Sequence, residues 1–372
     1  MSVLEYKCPN CGGAVSFDTD SQKMNCPYCD AEFDPEAIRL YNESLKEESR
    51  ESYDWNEYNT ADQWSDEELS SISAYICPSC AGEIIGDANT AATHCPYCGS
   101  PAIMPKQLEG MFKPDFVIPF KLDKSAAIKA FKSSMKGKVF LPTSFKTTRL
   151  DEIQGIYVPF WLFDCDTDSQ VRYKGEKVRT WTSGSYQYTE TSHFQLERAG
   201  TVDFVKLPVD GSKKMDDTYM EAIEPYDYKG LVNFQMAYLS GYLADKYDVD
   251  VEQSRPRANE RIKKSVEQLF RNTTSGYTNI RVDNTNIKMK DGKINYALMP
   301  VWMLNTKYKN KIYSFAMNGQ TGKLIGSYPV DKGKWWGWFF GILALLNAIG
   351  LLIHFATGES LFTIVSAFFG AI

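Results

Sequence analysis

Cys8-Pro9-Asn10-Cys11 followed by Cys26-Pro27-Tyr28-Cys29, and Cys77-Pro78-Ser79-Cys80 followed by Cys95-Pro96-Tyr97-Cys98, are two copies of one pattern. Fourteen residues separate the inner cysteines in each copy, and every cysteine of the second lies 69 positions after its counterpart. A tetrahedral zinc ion takes four thiolates at about 2.3 Å, and two CxxC knuckles on facing hairpins supply that set. Each proline presets a turn. Small or polar residues after the knuckles (Gly12-Gly13, Asp30, Ala81-Gly82, Gly99) suit the tight bend that aims backbone N–H groups at sulfur. The spacing predicts two rubredoxin-like zinc ribbons, over residues 1–35 and 76–104, each holding one Zn2+. A disulfide framework is the competing use of so many cysteines. Nothing resembling a secretory signal precedes Cys8, and thiols persist in a reducing compartment.

A site of four cysteines is coordinatively closed, with no position for water or substrate. It stabilises a module too small to build its own core. His94, beside Cys95, is then superfluous as a ligand and reads as a surface histidine or a neighbour of the ligands. The ninth cysteine, Cys165, follows an apolar run and reads as a buried small hydrophobe.

Charge argues against nucleic acid at the ribbons. Residues 1–35 carry two lysines against six carboxylates, and residues 77–104 carry no lysine or arginine. Four thiolates around a divalent ion add two negative charges at each site. Between the ribbons, residues 41–70 hold ten Asp/Glu against Lys46 and Arg50, and the whole chain has a formal charge of −6. Phosphate binding rests on cations and counterion release. Protein contact suits these modules better, and nucleic-acid binding is the alternative they disfavour.

The other end of the chain is a membrane signal. Residues 335–356 contain no charged side chain, and about 20 helical residues cross a hydrocarbon core. Trp335, Trp336 and Trp338 stand where an aromatic interface belt belongs. Lys332 and Lys334 precede the span and no basic residue follows it in 357–360, which orients the N-terminal bulk toward the cytoplasm. Residues 361–372 are nearly all apolar but too few to span. They form either a half-inserted segment or part of a longer second helix.

Residues 36–75 are acidic and thinly apolar apart from Tyr53, Trp55, Tyr58 and Trp64, and read as a helix-prone linker or a partner-binding segment. The body that follows, in two stretches at 105–230 and 231–330, patterns as a mixed α+β fold with a suggestion of internal repetition. Residues 117–122 predict a strand and 124–136 a helix with apolar residues at helical spacing. A buried strand follows at 158–163, and alternating residues from 170 to 207 predict antiparallel strands. Residues 231–247 and 257–270 read as helices. Pro300-Val301-Trp302 echoes Pro159-Phe160-Trp161, and leads into a hairpin about Asn318-Gly319-Gln320-Thr321-Gly322, a turn sequence rather than a phosphate loop.

Catalytic apparatus is missing from the sequence. The three histidines are scattered, and no nucleophile elbow, zinc-protease helix or dinucleotide fingerprint occurs. Asp164, Asp166 and Asp168 alternate and could hold a cation, but read better as a solvated strand end. The expectation is a non-enzymatic protein.

Two basic regions interrupt the acidity. Residues 105–149 hold ten Lys/Arg against three carboxylates, with Lys124, Lys129, Lys132, Lys136 and Lys138 on or beside one helix. Arg255, Arg257, Arg261, Lys263 and Lys264 open a later one. Each is a solvated helix face, a surface for anionic headgroups at about 1 kcal/mol per placed cation, or a dock for an acidic partner.

The paired CPxC ribbons, the runs at 158–166, 224–250 and 299–326, and the C-terminal apolar segment together resemble a bacterial family of membrane-anchored zinc-ribbon proteins, YdjG-like, whose members are labelled TFIIB-type zinc ribbon proteins. That resemblance implies a cytosol-facing membrane scaffold. It implies recruitment of SPFH-domain (flotillin-like) or PspA-type membrane-stress proteins, together with a related membrane partner. The eight zinc cysteines are the residues it carries over.

Overall fold

The computed structural model describes residues 6–48, 51–58, 63–87, 94–100, 104–106, 112–146, 150–309 and 311–357. The expected second hydrophobic segment, 361–372, lies outside them. The first ribbon is a three-stranded antiparallel sheet of β1 (Ser16–Asp18), β2 (Lys23–Asn25) and β3 (Glu32–Phe33), closed by α1 (Pro35–Glu48). Asn42 of α1 accepts from Lys7 N at 2.8 Å, and its amide donates to Lys7 O and Ile38 O, so the helix is stitched to the first knuckle. A capped short helix, α2 (Asp66–Ser71), enters the second ribbon, built from β4 (Ile72–Ile76), β5 (Glu83–Asp87) and β6 (Met104–Lys106).

The body begins with β7 (Phe116–Val117), α3 (Lys124–Ser134) and α4 (Thr143–Lys146). A long hairpin follows, β8 (Gln154–Ser183) and β9 (Tyr186–Asp210). After α5 (Asp217–Ala222) come β10 (Val232–Asn233), β11 (Leu243–Asp245) and α6 (Val251–Arg271). The chain closes with β12 (Thr278–Tyr308), β13 (Lys311–Asn318), β14 (Leu324–Gly326) and α7 (Lys332–Thr357). The large sheet runs β10-β7-β12-β8-β11-β5-β4-β6, with β9 also on β8 and β13 on β12.

The antiparallel pair β8/β12 is the spine, in register from Gln154 opposite Met303 to Glu176 opposite Thr278. Burial along β8 changes in the order its sequence dictates. The continuous apolar run 155–163 is buried on both faces, because α6 and the β-rich flanks cover it. From Cys165 to Tyr173 burial alternates, matching the polar residues interleaved there. Beyond Glu176, β12 has ended and only β9 pairs, so Lys177–Ser183 and Tyr186–Ser192 form a two-stranded arm with exposed Trp181, Tyr186 and Tyr188. α6 lies on the sheet through Val251, Ser254, Ala258, Ile262 and Val266, a stripe at helical spacing that is buried throughout. Asp250 caps its first turn, accepting from Gln253 N at 2.8 Å.

Several expectations change. Residues 231–247 are not a helix: they form β10, a 3-10 turn at Met236–Leu239, and β11. β11 is inserted between β8 and β5, where Leu243, Ala244 and Asp245 are all buried, and Gly241 at φ +81° breaks any helix before it. The expected strand at 117–122 pairs only through Phe116 and Val117. The two Pro-x-Trp runs are adjacent strands of one sheet, Pro300 facing Tyr157 and Leu298 facing Pro159, so the stretches divided at residue 230 share a core. The turn at 318–322 is a hairpin, with Gly322 at φ +80° and the buried Asn318 Oδ1 accepting from the amides of Gln320 and Thr321 at 2.9 Å.

The acidic linker is a further difference. Ser52 exchanges backbone hydrogen bonds with Ile287 and Met289, and Asn56 N donates to Gly292 O, so 51–56 lies along β12, held by two isolated parallel bridges. Trp55 is 8 % exposed, meets Phe163 edge-on at 4.9 Å, and donates Nε1–H to Asn259 at 2.8 Å. Tyr58 donates to Asp115 at 3.0 Å and packs on Trp161. Gly292 is required at this crossing, since a Cβ there would lie 2.5 Å from Asp54 O. The aromatics that interrupt the acidic stretch therefore serve the chain's own core. Trp55→Ala should destabilise the fold by roughly 3–5 kcal/mol, read as a lower unfolding midpoint in detergent. A loss under about 1 kcal/mol would mean that 51–56 rests on the body without anchoring it.

Candidate metal centres

Both cysteine sets converge. In the first, Cys8 Sγ lies 3.7 Å from Cys29 Sγ and Cys11 Sγ 3.4 Å from Cys26 Sγ. In the second, Cys77 and Cys98 are 3.7 Å apart and Cys80 and Cys95 3.6 Å. All four sulfurs of each set lie within 4.8 Å of one another. Tetrahedral coordination with metal–sulfur bonds of about 2.3 Å implies sulfur–sulfur edges of about 3.8 Å, whereas a disulfide brings sulfurs to about 2.05 Å. The sulfurs stand at metal-site spacing, and each set could hold one metal ion.

The local backbone explains the convergence. In every knuckle the residue after the second cysteine donates its N–H to the carbonyl of the first: Gly12 to Cys8, Asp30 to Cys26, Ala81 to Cys77, Gly99 to Cys95. All four have positive φ, from +55° to +72°, which only small or turn-tolerant residues adopt readily. The next residue shows a second shared device. Gly13 lies against the Tyr28 ring and Gly82 against the Tyr97 ring, each with room for no side chain, as a Cβ would come within 2.5 Å. Burial opposes ionisation of Cys26 and Cys77. The N–H groups of Tyr28 and Cys29, and of Cys80 and Ser79, together with neighbouring thiols, carry both down to about 7 against it, while Cys11, Cys29, Cys80 and Cys95 stand above the usual thiol value.

The two sites differ in setting. Cys8 and Cys26 are buried while Cys11 and Cys29 are exposed, and ribbon 1 carries its own small sheet. It touches the body through Lys7, whose ammonium is 3.4 Å from Asp283, and through the approach of Gly12 to Gln195. Ribbon 2 is part of the large sheet. Cys77 and Cys95 belong to a core cluster with Ile84, Ile118, Ile156 and Leu162. Asn305 donates to the carbonyls of Pro96 and Tyr97, Lys214 to Cys80 O at 2.6 Å, and Gln154 to His94 O at 3.3 Å. Tyr97, half-buried against that cluster, sits by the buried Asp245 of β11.

The remaining candidate residues have structural partners. Cys165 is buried, and burial pushes its thiol up to about 12, with Asp166 and Asp164 adding to it. Asp164 accepts from Lys206 N and Nζ at 2.5 Å, while Asp166 and Asp168 point to solvent, so the three carboxylates do not converge. The basic cluster of α6 is neutralised: Arg255 by Glu252, Arg257 by Asp210, Asp217 and Glu221, Arg261 by Glu224, Lys263 by Glu51, Lys264 by Glu260. The acids of 216–224 read as loop residues in the sequence. Their spacing gave no sign that they answer α6. Lys124, Lys129, Lys132, Lys136 and Lys138 are all exposed on or after α3.

No protein-family profile matches the chain, and no solved structure resembles it. A Bacillus subtilis (strain 168) protein, the uncharacterized protein YdjG, is 38 % identical over 341 residues, covering 91 % of this chain and 94 % of that one. The chain belongs to the YdjG family. Within this family member the metal sets differ in how far the fold leans on them.

Two outcomes follow from that difference. Metal content should be two ions per chain by elemental analysis and one in either Cys8→Ser/Cys11→Ser or Cys77→Ser/Cys80→Ser. Only the second pair should lower the melting temperature of the body. Equal destabilisation by both pairs would place ribbon 1 within the body's cooperative unit. A second prediction concerns Asp245. Burial pushes its carboxyl up to about 7, against the opposing pull of the nearby Ser212 and Tyr97 hydroxyls. The folded chain then keeps a proton that the unfolded chain releases above about pH 4, so stability falls as pH rises toward 7. Asp245→Asn should flatten that decline in melting temperature between about pH 4 and 7. Parallel profiles for the two proteins would remove Asp245 as its source.

Proposed function

We propose that this chain is a non-enzymatic, zinc-dependent adaptor of the cytoplasmic membrane, with α7 as its anchor and its N-terminal bulk in the cytoplasm. One observation carries this: α7 is long and apolar enough to cross a membrane, and none of its apolar stretch is buried against the body. Trp335, Trp336, Trp338, Phe339, Phe340 and the leucines beyond are all exposed, an apolar surface far larger than a water-soluble monomer tolerates. Zinc is the ion, since four thiolates in tetrahedral array suit it and a closed set serves structure rather than chemistry.

The partners are proteins, of SPFH-domain (flotillin-like) or PspA type, joined by a related membrane protein. Support for protein contact is the arm beyond Glu176, whose exposed Trp181, Tyr186 and Tyr188 suit an interface. Nucleic acid is disfavoured by the acidic ribbons and by the ion pairing of every cation in the α6 cluster.

Removing residues 332–372 should move the protein from the membrane pellet to the soluble fraction. In a pull-down from solubilised membranes, serine at the eight ligand cysteines should abolish capture of SPFH-domain or PspA-type proteins while leaving membrane insertion intact. Capture of the same proteins by the ligand-free variant would overturn the zinc-dependent reading, and recovery of nucleic acid in their place would overturn the adaptor.

A further inference from the structure

The loop after α3 is fastened to the root of α7. Phe140 O accepts from Asp331 N at 2.8 Å, and Lys334 Nζ donates to Leu141 O at 2.8 Å and to Thr143 Oγ1 at 3.1 Å. Tyr328 donates to Ser134 at 2.6 Å and stacks beneath the Lys138 ammonium at 4.2 Å. These contacts join residues 134–143 to the last seven residues before the tryptophans of α7. The loop's position relative to α7 is therefore set by the fold.

That fixed surface is basic and apolar at once. α3 buries Ala127 and Phe131, with Met135 buried at its C-terminal cap, and Lys129 and Lys132 on the helix and Lys136 in the turn after it are all exposed. Among the described residues none of the three has an ion-pair partner, in contrast to the α6 cations. Gly137, at φ +77°, turns the chain out of the helix and brings up Lys138 and Val139. Val139 is 51 % exposed, and Val330, on the segment to which the loop is tied, is 60 % exposed. Lys124 opens α3 at the end remote from the loop.

We infer that the Lys129/Lys132/Lys136 face of α3 and the Lys136–Phe140 loop form a platform that lies on anionic phospholipid headgroups, with Val139 seated at the interface beside Trp335 and Trp336. The inference rests on α7 spanning the membrane. Lysines without partners, held next to an interfacial tryptophan belt, meet a negative surface at the depth where phosphates lie, and an exposed valine between them loses its contact with water there. The platform would hold the sheet at a set angle to the bilayer, where a single helix would leave it free to swing.

The test is hydrogen–deuterium exchange of the full-length chain in nanodiscs of phosphatidylcholine alone or with about 30 % phosphatidylglycerol. Amides of 131–141 should exchange roughly five- to ten-fold more slowly with the anionic lipid. That protection should vanish with Lys129→Glu/Lys132→Glu/Lys136→Glu and weaken with Val139→Ser. Equal exchange in both lipids from a chain whose α7 amides are protected would overturn the platform and leave the anchor standing. Failure of the chain to enter nanodiscs at all would overturn the anchor instead, and the platform with it. Slowing that appears only when another protein is added, whatever the lipid, would assign the surface to that protein and also overturn the platform.

Discussion

The pairing of β8 with β12 is the constraint on which the molecule depends. Each strand runs for about thirty residues, and their common core segment, 155–163 against 294–302, is buried on both faces. Everything else is placed by its position along that pair. At the Gln154 end sit ribbon 2, the α3/α4 cluster around Phe131, Phe145 and Phe315, and the root of α7. Ribbon 1 meets the pair toward its Glu176 end, near Asp283 and Gln195, and the aromatic arm beyond ends at Gly184. An extended strand rises about 3.3 Å per residue, so the 18 residues from Gln154 to Arg172 span roughly 60 Å. On the proposed orientation, the sheet is a mast that holds its metal sites at different heights above the bilayer.

Two copies of one motif have consequently acquired different dependencies. Both ribbons use the same knuckle turns and the same glycine under the same tyrosine, as their identical spacing requires. Tyr28 is 74 % exposed, however, whereas Tyr97 is half-buried beside Asp245 of β11. Ribbon 1 stands on its own sheet and α1, with Cys11 and Cys29 open to solvent. Ribbon 2 has surrendered its hairpin to the body, where β5 continues the sheet through β11. A metal ion there organises a strand on which the large core closes.

Much of this was legible in the sequence where the signal is local. The eight cysteines, the charge-free run of α7, the Asn318-Gly319 hairpin and the α3 stripe of Ala127, Phe131 and Met135 each carry their chemistry within a few turns of chain. The losses came where the partner is distant. Residues 231–247 contain Leu, Met and Ala that favour helix, yet Leu243 and Ala244 are needed between two strands, and sheet burial overrode propensity. Trp55 and Tyr58 looked like sticky residues in a solvated linker because their sockets, Phe163, Asn259 and Asp115, lie from about sixty to two hundred positions away. The acids that answer α6 were invisible for the same reason.

Charge shows how pairing at a distance decides function. By composition, the α6 cluster and the α3 lysines are equivalent basic patches. The fold supplies a carboxylate to each cation of the first, which spends its charge inside the molecule. The exposed pairs of that set contribute about 1 kcal/mol or less to stability, while Arg257 also reaches the buried Asp210; together they erase a positive field that phosphate would otherwise find. The α3 face keeps its field because the residues opposite its lysines are apolar ones committed to Phe315 and Tyr328. A chain that is acidic overall therefore keeps an unneutralised positive face where it meets α7, and holds its acidic ribbon 1 toward the other end of the β8/β12 pair. On the proposed orientation an anionic bilayer attracts the first and repels the second.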